Sequence, residues 1–83
     1  MKYYFSMRVL YFGSMEVKPG DFLHVLVSGR VYVVKVNEIT EYSQIVGEDP
    51  DGNPVMIKVS KITAIRKITE EEFRRRGKNV PTA

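Results

Sequence analysis

A chain of 83 residues holds one small domain, and without cysteine it has neither a disulfide framework nor a thiolate metal site to stiffen it. A hydrophobic content of 43% suits a packed core, while a mean hydropathy of -0.21 and the lack of a long apolar run exclude a membrane-spanning helix. The net charge of +3 lies in residues 66–83, where six basic side chains meet three acidic ones; the rest is neutral, so charge alone does not mark a nucleic-acid binder.

Residues 1–17 form an apolar N-terminal extension. Tyr3, Tyr4, Phe5, Met7, Val9, Leu10, Tyr11 and Phe12 follow neither a period of two nor one of 3.6, and the segment reads as a strand or a packed extension. Arg8 interrupts it and no small-residue cleavage site follows, so a signal peptide is not expected and the expected location is the cytoplasm. Lys18-Pro19-Gly20-Asp21 is a turn signal, with Pro presetting the first central φ and Gly accepting a positive second one.

Residues 18–68 then read as strands. Phe22 to Val27 and Val31 to Val36, the latter extending towards Ile39, are separated by Ser28-Gly29-Arg30 and form a tight hairpin. Ser43 to Glu48 and Val55 to Val59 flank the strong turn signal of residues 49–54. Ser60-Lys61-Ile62 leaves room for one 3₁₀-like turn before a fifth strand, Thr63 to Ile68. Five short strands with tight turns predict a mostly β fold, a strongly bent sheet closed into an SH3-like barrel.

A helix is expected over residues 69–78. Thr69 suits the N-cap, Glu72 the capping box, and Ile68 with Phe73 a hydrophobic staple. Glu70 to Glu72 favour the positive end of the helix dipole and Arg74 to Arg76 the negative end, with Gly77 as terminator. Residues 79–83 are expected to be a flexible tail.

Gly29, the apolar positions Val31, Val36 and Ile39, the loop Thr40-Glu41-Tyr42-Ser43-Gln44 and the run from Ile57 to Ile65 share the spacing of another group of proteins. On these residues the stretch from Phe22 to Ile68 resembles the Sm and Sm-like (LSm, Hfq) family. It departs from that pattern where Val34 stands for a strand-bending Gly, Thr40 for Asp, Gln44 for Asn, and Lys58-Val59 for Arg-Gly. The resemblance implies a homo-oligomeric ring of roughly five to seven subunits closed by heterologous edge contacts. It also implies a pocket for one base of single-stranded RNA per subunit. Tyr42 would stack, Gln44 would read the base edge and Lys58 would supply a cation, with Thr40 and Lys61 beside them.

Bland readings of these residues stand alongside. Tyr42 can cover the end of a barrel, Gln44 and Thr40 are ordinary residues of strand ends, and Lys58 can point into water. Arg74, Arg75 and Arg76 form a secondary basic patch that would bind phosphate without base preference, or a solvated helix face. The edges carrying Val55, Met56 and Ile57 and carrying Ala64 and Ile65 are the expected oligomer interface. Phe22, Leu23, Val25, Leu26 and Val27 cannot all face one interior; the N-terminal segment, the helix or a neighbour must cover the excess.

His24 lacks a cysteine or second histidine as partner, and Glu48 to Asn53 lacks the later bidentate Glu of a calcium loop, so neither catalysis nor a metal or other cofactor is expected. Two functions stay open: the RNA-binding ring, and an SH3-like protein-interaction or structural scaffold, a role that a phage or viral assembly part would fit, that binds no RNA.

Overall fold

The computed structural model describes residues 2–77. Lys78, expected to end the helix, and the tail 79–83 lie outside the described residues. Three short strands, β1 (Tyr4–Ser6), β2 (Val9–Phe12) and β3 (Met15–Val17), form an antiparallel sheet. A second antiparallel sheet holds β4 (Phe22–Val27), β5 (Arg30–Thr40), β6 (Gln44–Glu48), β7 (Pro54–Lys58) and β8 (Ile62–Ile68), in the order β7-β6-β5-β4-β8. A 3₁₀ turn over Val59–Lys61 leads into β8, and the helix α1 (Glu70–Arg75) follows it. Among the described residues no helix is long and apolar enough to cross a membrane.

The turns form for the expected reasons. Asp21 N–H donates to the Lys18 carbonyl at 3.1 Å while Gly20 holds φ 95°, the geometry that Pro followed by Gly selects. Ser28 and Gly29 alone, with φ 50° and 81°, make the connection between β4 and β5. Arg30 is already paired with Val27, so β5 starts one residue earlier than expected.

β5 is 11 residues long and changes direction within itself. Its pairing with β6 slips between Val36 and Glu38, and that bulge resets the alternation so that Val34, Val36 and Ile39 all point inward. Gly47 lies opposite the bend. A Cβ there would stand 1.9 Å from the Lys35 carbonyl oxygen, so only a residue without one lets β6 follow the curve.

The sheet is not closed: no backbone ladder joins β7 to β8, so the expectation of a barrel closed by strand pairing is corrected to two separate open sheets. One core nevertheless spans both. Phe5, Leu10 and Val17 stand in register across the first sheet, and Leu10 and Val17 are wholly buried against Leu23, Val25, Ile45, Ile57 and Ile62. Burying a Leu or Val side chain contributes about 1.5–3 kcal/mol. Residues 4–17 are therefore not an appendage but one wall of the core.

The helix covers the end of the outer sheet face, with Phe73 packed on Phe22 at 4.9 Å between ring centres. Thr69 caps it, accepting from the Glu72 N–H at 3.1 Å. The carboxylate of Glu72 does not close the capping box; it accepts from Arg66 at 3.0 Å and Arg76 at 3.2 Å. α1 ends at Arg75 with Arg76 still right-handed, and Gly77 supplies closeness rather than a left-handed cap: a Cβ there would stand 3.2 Å from the Pro50 side chain.

Candidate functional site

β5 and β6 meet in a loop of three residues, Glu41 to Ser43, closed by a hydrogen bond from Ser43 N–H to the Thr40 carbonyl at 3.1 Å. Ser43 takes φ 56°, which turns the chain back and leaves Tyr42 at the tip, 77% exposed. The Thr40 hydroxyl accepts from the Gln44 N–H at 3.2 Å and donates to the Gln44 side-chain oxygen at 3.3 Å. The Gln44 amide is thereby oriented with its oxygen engaged. Lys58 stands opposite Gln44 in the ladder, and the Ser43 carbonyl accepts from Val59 N–H at 3.0 Å, tying the loop to the 3₁₀ turn.

This loop forms one bank of a cleft of about 590 Å³ whose other bank is the β1–β2 hairpin. Thr40, Tyr42 and Gln44 line it, so the structure brings together three of the five residues expected to hold a base. Lys58, expected to supply the cation, and Lys61, expected beside it, do not line it. Facing the loop are Phe5, Met7 and Arg8, and Glu38 and Glu41 complete the rim on the loop's own side. The charge of the cleft is therefore two carboxylates against one guanidinium, the reverse of what a phosphate backbone attracts.

Sequence reasoning missed Met7, Arg8 and Glu38. Met7-Arg8 lacks the Asn-Gly chemistry that signals a two-residue hairpin, and nothing local shows that this turn folds over towards Tyr42. The secondary basic patch is also weaker than its composition: Arg74 pairs with Glu70 and Arg76 with Glu72, leaving Arg75 without an ion pair among the described residues. The two bonds to Glu72, with that from Arg66 foremost, hold its carboxyl below the ordinary value.

The strands expected to form the oligomer interface are the two edges of the five-stranded sheet. Met56 is 64% exposed, Ala64 is exposed, and Val55 and Ile65 are half-buried. Ile57 is the correction, because its side chain is buried in the core and only its backbone reaches the edge. On the outer face His24 sits opposite Arg66 and borders a shallow groove with Leu26, Val31 and Ala64.

Asp49 explains the acidic loop. Its carboxylate accepts from the N–H groups of Asp51 and Asn53, each at 2.9 Å, and from the Asn53 side chain at 3.3 Å. Burial disfavours its charge, yet these donors outweigh that and hold the carboxyl below its ordinary value. The carboxylate is thus committed to its own hairpin.

No family model and no solved structure matches the chain. Uncharacterized protein 8 of Sulfolobus islandicus filamentous virus (isolate Iceland/Hveragerdi) is 47% identical to it over 70 residues, 84% of this chain and 87% of that protein.

Proposed function

The chain belongs to one family with that viral protein, and from this premise we propose that it is a viral protein-interaction module of SH3-like or Sm-like build whose copies assemble through the open edges of the five-stranded sheet. One observation carries the reading. β7 and β8 end the sheet on opposite sides, and among the described residues no further strand is bonded to either. An edge strand with unpaired backbone groups and apolar neighbours such as Met56 and Ile65 recruits another strand. Pairing β7 of one copy with β8 of the next is heterologous and closes into a ring when the rotation permits. The strand order, the long bent β5 and the 3₁₀ turn before β8 support the half-barrel build.

Light scattering of the full chain, with amide exchange as a function of concentration, tests this. Assembly is expected to slow exchange across residues 55–57 and 64–65, and Met56→Lys with Ala64→Lys is expected to return the protein to monomer. A wild-type monomer at high concentration, with freely exchanging edge amides, overturns it.

A second reading, single-stranded RNA binding, rests on the meeting of Thr40, Tyr42 and Gln44 in one cleft. Glu38 and Glu41 weigh against it. Base-dependent binding of labelled oligo-U or oligo-A across a salt series, abolished by Tyr42→Ala, is its signature.

A further inference from the structure

The first hairpin of the chain turns on residues poorly suited to turning it. β1 and β2 pair at Ser6 and Val9, so their connection is two residues long, and both hold positive φ, 52° at Met7 and 66° at Arg8. Asn-Gly enters that conformation at little cost, whereas unbranched side chains as large as Met and Arg resist it. Across the cleft Ser43 is held in the same region of backbone space and lifts Tyr42 outward. The two most exposed large apolar side chains among the described residues, Met7 at 91% and Tyr42 at 77%, therefore stand on facing banks of one concavity.

We propose that this cleft docks an extended, cationic segment of a partner protein, gripped between Met7 and Tyr42 and selected by Glu38 and Glu41. The proposal rests on the reading of the chain as a protein-interaction module and names the chemistry of its partner. Charge decides the sign: in a protein of net charge +3 the cleft carries two carboxylates and one guanidinium, and none of the three is in an ion pair among the described residues. An arginine or lysine lays its aliphatic stem along Met7, whose thioether adapts to irregular surfaces, and sets its head on the face of Tyr42 within reach of the carboxylates. Arg8 and the free side-chain N–H groups of Gln44 remain as donors for the carbonyls of the extended backbone. A volume of about 590 Å³ lies within the range of ligand-binding clefts. A nucleic acid would instead set its phosphates against Glu38 and Glu41.

Fluorescence anisotropy on the full chain, at dilutions where light scattering shows a monomer, tests this with three labelled probes: a short peptide alternating arginine, leucine and serine, its counterpart with glutamate for arginine, and oligo-U. The arginine peptide is expected to bind and the glutamate peptide not to. Glu38→Lys with Glu41→Lys is expected to weaken the arginine peptide by roughly tenfold or more, and Tyr42→Ala by several-fold. Replacing Met7→Asn and Arg8→Gly together is expected to raise the melting temperature while lowering peptide affinity, because it relaxes the turn and removes the contact. Equal binding of both peptides, affinity unchanged by the double charge reversal, no binding by any probe, or oligo-U binding that Tyr42→Ala abolishes and the arginine peptide cannot displace overturns the proposal. The same titration on the Met56→Lys, Ala64→Lys variant separates it from edge assembly, since peptide binding persists there even if copies never join.

Discussion

In the hairpin between β6 and β7, Asp49 accepts from two backbone N–H groups and Gly52 takes φ 86°, so every position of the turn holds a residue its geometry favours. In the hairpin between β1 and β2, Met7 and Arg8 occupy positions that favour neither. The contrast extends to whole sheets. β4 to β8 alternate and bulge in register and place Gly20, Gly29 and Gly52 at positive φ, although Ser28 and Ser43 take it as well, whereas β1 to β3 are three or four residues long and are held by what they pack against. Local chemistry specifies the larger sheet, and burial of Phe5, Leu10 and Val17 against it specifies the smaller.

The largest expected effect tests the first half of that contrast. Gly47→Ala forces a Cβ into the Lys35 carbonyl, where backbone rather than a flexible side chain must give way, and is expected to cost about 3–4 kcal/mol in urea unfolding. A loss below about 1 kcal/mol places the bend elsewhere. Next in size, Leu10→Ala removes a side chain with no exposed surface and is expected to cost about 2–3 kcal/mol. Circular dichroism and aromatic fluorescence should report one shared transition; two separate ones mean that the first sheet is an independent appendage. The smallest effect concerns the Asp49 turn and the ion pairs of Glu72 with Arg66 and Arg76. Asp49 and Glu72 both have carboxyls held below their ordinary values in the folded protein. Their contribution is therefore complete above the unfolded carboxylate range, near pH 4, and is lost as pH falls through the folded values. A melting series in acid is expected to fall more gently for Asp49→Asn with Glu72→Gln than for wild type, and an identical acid limb contradicts the assignment.

Most of the larger sheet was legible because its signals are local. The strand from Phe22 ends at Val27 as expected, the 3₁₀ turn falls one residue early, and Thr69 caps α1. The capping box does not form for a tertiary reason: Arg66, six positions before Glu72 on β8, takes the carboxylate that the helix would otherwise use. The candidate site was half legible. Thr40 and Gln44 are neighbours in the ladder and Tyr42 lies between them in the chain, so their proximity follows from one short loop. Lys58 faces the same ladder position but misses the cleft, and no sequence spacing reveals that the opposite bank is Met7 and Arg8.

Composition, alternation and turn residues by themselves determined a small β-rich chain with five principal strands and a capped C-terminal helix, since each of those features depends on neighbours a few positions apart. Only the tertiary structure decided that residues 4–17 form a second sheet sharing the core and that the cleft by Tyr42 is acidic. Those outcomes depend on side chains far apart in the chain and brought together by burial, and the free energy that joins them appears only when both surfaces leave water.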